Sequence, residues 1–174
     1  MLLVLLLLTG CGCVRYRALQ ADARAKLEER RTAAVLVTRL VEGDAFADPP
    51  AAVLPLAEHY RPGEGEWTVG RVEDAPEPLQ AALRAARVAL LERGYELARG
   101  DGPADFVVLV GVTHDRRGDL RRVAVDVGGL LDGRFQRSLV SVDAVLDAGC
   151  ERDVDGLVRD LLGVVPERVD PEAP

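Results

Sequence analysis

The chain has 174 residues, of which 48% are hydrophobic and 29% are charged, and its formal net charge is -7 at pH 7. This length accommodates one domain with a sizeable core, and the apolar content excludes an intrinsically disordered chain. The acidic balance argues against non-specific binding to nucleic acids, because such binding depends mainly on basic side chains that neutralise phosphates. The composition therefore predicts one globular domain that binds no nucleic acid.

The first eleven residues predict an export signal. Residues 2–8 are seven consecutive apolar residues. This run is too short to cross a bilayer, which takes about 20 helical residues, but it matches the apolar region of a signal peptide. It leads into Thr9, Gly10 and Cys11. No Lys or Arg precedes the run, so we expect that the natural start lies upstream. The alternative interpretation is a buried strand that begins at Leu2.

The sequence Leu8-Thr9-Gly10-Cys11 resembles the lipobox of bacterial lipoproteins, in which small residues precede a cysteine. The resemblance implies cleavage between Gly10 and Cys11, a diacylglycerol on the sulfur of Cys11, and acylation of the new amine, as with palmitate. It also implies a cell-envelope protein held at the membrane by lipid. The residue after the lipidated cysteine is Gly12 and not an Asp. In a Gram-negative cell this resembles the sorting signal for the periplasmic side of the outer membrane.

Lipidation of Cys11 would leave two thiols, those of Cys13 and Cys150. An envelope location permits a disulfide between them. Alternatively, Cys13 lies on a mobile tether and Cys150 is a small residue in a turn, so that neither is paired. Two cysteines so far apart in sequence form no metal-binding motif.

The mature chain is predicted to have three parts after a signal peptide over residues 1–10. Residues 11–31 are Ala-rich and charged, with Leu19, Ala23 and Leu27 at helical spacing, which indicates a lipidated tether with helical tendency. Residues 32–166 are expected to form the domain. Residues 167–174 are expected to be a disordered tail.

The first half of the domain is predicted to contain two strands, and a loop-rich segment that could hold a further short one. Residues 32–41 are rich in Val and Leu. Residues 51–56 form a short apolar run that Pro55 interrupts, which favours an edge strand. Trp67 and Val69 alternate inside this Gly- and Pro-rich loop and could form the short strand.

Two amphipathic helices are predicted from stripes of apolar residues at helical spacing. Pro78 suits the start of the first helix and Gly94 its C-cap, whereas Asp153 suits the N-cap of the second and Pro166 its end. The first stripe consists of Leu79, Leu83, Ala86 and Leu90, and the second of Val154, Leu157, Val158, Leu161 and Leu162.

Three further strands are predicted between these helices. Residues 104–112 are almost continuously apolar, as expected of a strand that is covered on both faces. Residues 123–127 and 140–146 alternate, and they flank Asp132-Gly133, a strong hairpin signal. The predicted fold class is therefore α+β, a small, mostly antiparallel sheet with two amphipathic helices packed on one face.

Three short motifs carry a wider resemblance: LLERGY at residues 90–95, ADFVV at 104–108 and LLGVVP at 161–166. On these motifs the chain from about residue 32 to 166 resembles a family of bacterial envelope lipoproteins that carry a domain of unknown function. The resemblance implies no assigned catalysis. Ala and Pro replace the aromatic residues of the family's first strands. Residues 52–56 are also similar to the opening strand of secretion-accessory lipoproteins.

The histidines offer little catalytic chemistry. His59 is expected on a surface loop, and His114, followed by Asp115, at a solvated hairpin tip. A His–Asp pair could act in base catalysis, but a hydrolase also needs a nucleophile and an oxyanion hole, which the sequence does not indicate. The alternative for His59 is a ligand-binding loop.

Other polar residues have two interpretations each. Arg116, Arg117, Arg121 and Arg122 form a basic cluster that either meets anionic lipid or an acidic partner, or is a solvated turn that Asp115 and Asp119 partly neutralise. Asp105 is expected to accept hydrogen bonds from backbone amides, the alternative being a buried acid with a raised pKa. Tyr95 is expected to pack across the end of the first helix.

These observations predict a membrane-anchored lipoprotein that is not an enzyme and holds no cofactor or metal. We expect it to act as an interaction or structural module, with an envelope protein as its partner. The alternatives are an accessory subunit of a secretion or transport complex, or a small-molecule-binding or hydrolytic domain. The last of these would need a pocket lined by convergent polar groups.

Overall fold

The computed structural model describes residues 13–20, 27, 30–40, 58–61, 68–69, 76–98, 104–131 and 134–168. Several predictions fall outside the described residues. They concern the signal sequence with Gly10 and Cys11, the apolar run 51–56, Trp67, the Asp132-Gly133 turn and the last six residues.

The described part of the chain contains eight strands and two helices. The strands are β1 (Val14–Gln20), β2 (Thr32–Arg39), β3 (Glu58–Arg61), β4 (Thr68–Val69), β5 (Glu96–Leu97), β6 (Phe106–His114), β7 (Leu120–Leu131) and β8 (Arg134–Leu146). The helices are α1 (Glu77–Glu92) and α2 (Val154–Leu162).

The strands form one mixed sheet in the order β1-β8-β7-β6-β2-β3-β4, and β5 pairs with β2 beside this path. The β1–β8, β8–β7, β7–β6 and β3–β4 pairs are antiparallel. Strand β2 is parallel to β3, β5 and β6. Parallel neighbours require a long crossover, and α1 lies in the segment that leads from β2 to β6. The α+β class with a mostly antiparallel sheet is confirmed.

Both helices pack on one face of the sheet and bury the predicted stripes. Leu83 and Leu90 of α1 and Leu157 and Leu162 of α2 are among the most deeply buried residues. They share one core with Phe106, Val108 and Val110 of β6 and with their neighbours on the adjoining strands. Successive strand side chains point to opposite faces, so this core lies between the helices and one side of the sheet.

Strand β6 is buried on its other face as well, as its continuous apolar run predicts. Val107 and Leu109 point away from the helices and are fully buried. They belong to a second, smaller cluster together with Ala34 and Leu36 of β2 and Ala124 of β7. The central strands therefore carry apolar side chains into two separate clusters, one on each side of the sheet.

The predicted helical tether is wrong for residues 14–20, which form strand β1. Val14 pairs with Leu146 and Tyr16 with Ala144 along the antiparallel ladder with β8. Val14 is buried in the main core, and the Tyr16 hydroxyl donates a hydrogen bond to Asp160 of α2 at 3.0 Å. Leu27, also assigned to the tether, is fully buried. The domain therefore begins before residue 32.

The helix ends follow their predicted signals. Pro78 lies in the first turn of α1, and Gly94 follows the helix with φ at 83°, a left-handed conformation that favours glycine. Asp153 is the N-cap of α2, where its side chain accepts a hydrogen bond from the Gly156 amide. Helix α2 ends at Leu162, four residues before Pro166.

Substitution of Leu83 by Asp tests the buried face of α1. Leu83 is 2% exposed, so Leu83→Asp places an unpaired carboxylate in the core and should cost at least about 4 kcal/mol of unfolding free energy. Arg84→Asp is the matched control, because Arg84 is exposed and its ion pair with Glu77 should contribute less than about 1 kcal/mol. Urea unfolding measures both variants, and equal stabilities would contradict the assigned face.

Candidate functional site

A disulfide ties the N-terminal end of β1 to the turn between β8 and α2. The sulfurs of Cys13 and Cys150 are bonded, and their Cα atoms lie 5.5 Å apart. The Asp147 amide donates a hydrogen bond to the Cys13 carbonyl at 2.9 Å and so continues the ladder between β1 and β8. The pairing that the sequence left open is therefore formed. Cys150 lies next to a turn, as predicted, but Cys13 is held by the domain.

The turn between β6 and β7 lies at the same end of the sheet, and Asp115 organises it. One oxygen of Asp115 accepts hydrogen bonds from the amides of Arg117 at 2.8 Å and Asp119 at 3.1 Å. The other accepts from the Arg121 guanidinium at 2.9 and 2.6 Å. Desolvation acts to raise the pKa of Asp115, but the bonds from Arg121 and the amides outweigh it and lower the pKa.

His114 ends strand β6 and is half-buried, so its predicted place at a solvated tip is wrong. Burial lowers the pKa of His114, the nearby Arg39 cation lowers it further, and Asp115 acts in the opposite direction. The imidazole is therefore neutral at pH 7. Both oxygens of Asp115 are already engaged by the turn and by Arg121, which gives this carboxylate a structural role beside His114.

The basic cluster divides into two pairs of different character. Arg121 and Arg122 are partly buried and form ion pairs, Arg121 with Asp115 at 2.6 Å and Arg122 with Asp143 at 2.9 Å. Arg116 and Arg117 are exposed at the tip of the turn. Of the two aspartates that were predicted to neutralise the cluster, Asp115 pairs with Arg121, whereas the partner of Arg122 is Asp143, which was not predicted.

Two buried carboxylates escaped the sequence analysis. Asp126 of β7 and Asp143 of β8 are 7% and 5% exposed. Asp126 pairs with Ser141 in the β7–β8 ladder, so the two carboxylates are diagonal neighbours on the sheet face opposite the helices. One oxygen of Asp143 accepts from Arg122, and the other is buried without a hydrogen-bond partner. The alternation of polar and apolar residues identifies this face, but it predicts that the face is solvated.

Asp105 joins the beginnings of β2 and β6 at the other end of the sheet. Its carboxylate accepts hydrogen bonds from the amides of Arg31 at 2.9 Å and Thr32 at 2.8 Å. Its own amide donates to the Thr32 carbonyl at 2.8 Å. The prediction that Asp105 binds backbone amides is confirmed, although those amides belong to a neighbouring strand and not to its own turn.

Tyr95 packs across the end of α1, as predicted. It is buried, its ring meets that of Phe106 edge to face with centroids 5.1 Å apart, and its hydroxyl lies 3.0 Å from the Pro166 carbonyl. Arg93 donates to the Val165 carbonyl at 2.9 Å, and the Arg168 amide donates to the Arg93 carbonyl at 2.8 Å. The three motifs at residues 90–95, 104–108 and 161–166 therefore meet in one corner, where they hold the fold together.

The same contacts revise two further expectations. The predicted tail is bound to the domain as far as Arg168, through its amide. His59 lies within strand β3, paired with Leu36 of β2, and not on a loop. Strand β2 separates β3 from β6, so His59 and His114 lie on strands that are not adjacent.

The described part of the chain contains no group of three or more His, Cys, Asp or Glu side chains arranged to hold a metal ion. Neither α1 nor α2 combines the length and apolar character that a membrane crossing requires.

Known proteins resemble this chain in structure more than in sequence. No family model matches it, and no curated protein matches it. The fold is similar to the PelC dodecamer from Paraburkholderia phytofirmans, at a TM-score of 0.51 and 12% identity over 90% of this chain and 99% of that chain. A second crystal form of that dodecamer gives a TM-score of 0.49 with the same identity and coverage. At this identity the similarity shows a shared fold.

Substitution of His114 by Gln tests the environment of this side chain. Because the pKa of folded His114 lies below its unfolded value of about 6.5, protonation opposes folding. The wild type should therefore lose stability as the pH falls from about 6.5 through the folded pKa, and His114→Gln should lose less. Thermal unfolding of both proteins at pH 7.5 and pH 5 measures the loss of stability on acidification. The values at pH 7.5, where the imidazole is mostly neutral, are the control. Identical pH dependence in both proteins would contradict the assignment.

Proposed function

We propose that the protein is a lipid-anchored module of the bacterial cell envelope that works through protein interaction or assembly and not through catalysis. The observation that carries the proposal is the disulfide between Cys13 and Cys150. Structural disulfides persist in oxidising compartments outside the cytoplasm. The bond therefore supports the export that the Leu8-Thr9-Gly10-Cys11 motif predicts.

The position of Cys13 supports attachment through Cys11 in particular. Only Gly12 separates the two cysteines in sequence. One acyl chain binds a membrane only marginally, whereas the two or three chains of a lipoprotein cysteine hold a domain stably. A lipid at Cys11 would thus need no transmembrane helix, and it would attach almost directly to a folded and covalently closed element.

The roles of the polar side chains favour interaction over catalysis. Asp105 holds two strands together, Asp115 organises a turn, and Asp143 is paired with Arg122. The three motifs at residues 90–95, 104–108 and 161–166 likewise make contacts within the domain, such as that of Tyr95 with Pro166. A function of such a domain would therefore depend on the binding of partners to its surface.

The runner-up is an accessory subunit of a secretion or transport complex. PelC, which is similar in fold over 99% of its chain, is a dodecamer, and this supports self-assembly as one route to such a complex. Light scattering of the detergent-solubilised protein tests self-assembly. A large homo-oligomer favours an assembly of copies of this chain, and a monomer favours a module that binds a different partner.

Substitution of Cys11 by Ser tests the anchor, with the gene expressed from its natural start in a bacterial host. The wild type should enter the membrane fraction and begin at Cys11 with the added mass of its acyl chains, because the lipid is the proposed attachment. Cys11→Ser should block lipidation and leave the protein unprocessed, or released if another peptidase cuts. Mass spectrometry of the N-terminus and fractionation of the cells measure both.

The matched control is Thr9→Ser, which keeps a small residue in the motif and should be processed like the wild type. Wild-type protein recovered in the soluble fraction, starting before Cys11 and without lipid mass, would refute the anchor. If Thr9→Ser alone is not processed, the motif is not recognised in the way that a lipobox is.

A further inference from the structure

We propose that the tip of the β6–β7 hairpin, residues 115–119, contacts anionic lipid headgroups through Arg116 and Arg117. The inference rests on the proposed lipid anchor at Cys11. It adds the orientation of the domain, with one end of the sheet turned toward the membrane and the corner around Tyr95 turned away from it.

The disulfide fixes the end of the sheet at which the anchor joins the domain. Cys13 is bonded to Cys150, and Val14, the next residue, is paired with Leu146 at the end of β8. A chain spans at most about 3.6 Å per residue, so the Cα of Cys11 lies within about 7 Å of the Cα of Cys13. A lipid on Cys11 therefore brings the bilayer to the end of the sheet where β1 begins and β8 ends.

The β6–β7 hairpin points toward the same side. Strand β7 is antiparallel to β8, so β7 begins where β8 ends, and Arg122 pairs with Val145. Strand β7 starts two residues earlier, at Leu120, which is level with Asp147 and hence with Cys13. Residues 115–119 project beyond that level. Since neighbouring strands lie about 5 Å apart and β8 separates β1 from β7, the tip is about 10–15 Å to the side of β1, where the anchor joins.

Hydrogen bonds within the tip close the turn, and its two arginines are exposed. The two amide bonds to Asp115 close the turn, and Gly118 has φ at 89°, a conformation that suits glycine. Arg116 and Arg117 are exposed, and within the described part of the chain neither guanidinium forms an ion pair or a hydrogen bond. Their charge is therefore available to a partner.

The charges around the tip make it a local exception in an acidic protein. Asp115 is paired with Arg121, which leaves Asp119 as the exposed acid of the tip against Arg116 and Arg117. At the end of β2, Arg39 is exposed on the same side. Among the described acidic residues at this end, Asp147 is paired with Arg15, and Glu151 and Asp153 lie nearer α2. At this end, the positive charge on the described residues that is not paired with an acid lies at the hairpin tip and at Arg39 beside it.

An anionic lipid surface fits this arrangement better than a separate acidic protein. The anchor would hold the tip next to headgroups continuously, and one arginine near an anionic surface strengthens association about fivefold. Two arginines could not bind a membrane alone, but a lipid chain combined with a basic patch is an effective pair of signals. The tip would thus orient a domain that the lipid already holds.

Arginine modification on vesicles tests the proposal. The lipidated full-length protein is reconstituted into phosphatidylcholine vesicles with and without phosphatidylglycerol, and mass spectrometry first verifies lipid on Cys11. Phenylglyoxal then modifies arginines, and peptide mapping gives the rate at each site. On anionic vesicles Arg116 and Arg117 should react about fivefold more slowly. Arg84 and Arg87, exposed along α1, are the internal controls and should not change.

High salt should abolish the slowing, because the screening length falls to about 3 Å at 1 M. Equal rates at Arg116 and Arg117 on both kinds of vesicle, in protein with lipid on Cys11, would overturn the orientation and leave the anchor standing. Wild-type protein without lipid on Cys11 would overturn both proposals. Slowing at the α1 arginines to the same extent would also overturn the orientation, because it would show that the side of the domain faces the lipid.

Discussion

The antiparallel ladder between β1 and β8 determines how the N-terminus relates to the rest of the molecule. The ladder begins at the Val14–Leu146 pair, and the disulfide between Cys13 and Cys150 closes it at the same end. A disulfide across 137 residues restricts the unfolded chain far more than the folded one, which stabilises the native state by an amount on the order of 4 kcal/mol.

The two ends of the sheet therefore carry different groups of residues. One end carries the disulfide, the proposed anchor and the β6–β7 tip. At the other end Asp105, Tyr95 and Arg93 bind the starts of β2 and β6 and the chain after α2. The motifs at residues 90–95, 104–108 and 161–166 meet at this second end, which explains why they indicate a fold and not a chemistry. They supply buried hydrogen bonds and packing that any surface function would require.

The sequence predicted best those elements whose pattern agrees with their packing. Helices α1 and α2 have long apolar stripes and definite end signals, and β6 is apolar enough to be buried on both faces. Asp105 was also predicted to accept from backbone amides, as aspartates near turns commonly do, although the amides it binds are those of Arg31 and Thr32. In these cases the local preference and the tertiary environment favour the same structure.

The failures have identifiable physical causes. In β1 the alternation of Val14, Tyr16 and Ala18 competes with helical spacing from Leu19 onward, and the cross-strand pairing with β8 decides between them. The Cys13–Cys150 pairing depends on a three-dimensional proximity that no local pattern encodes. His114 and Asp143 belong to polar-looking segments, and their burial arises from neighbouring strands and from partners such as Arg122.

The bond between Cys13 and Cys150 defines the end of the domain that we propose faces the membrane, so the most direct measurement is a map of that bond in protein isolated from bacterial envelopes. Free thiols are blocked during lysis, the protein is digested without reductant, and the peptides are analysed by mass spectrometry. We predict one cross-linked pair that contains Cys13 and Cys150 and separates on reduction. A Cys13 thiol that is blocked in the unreduced protein would contradict the closed ladder and with it the orientation of the domain.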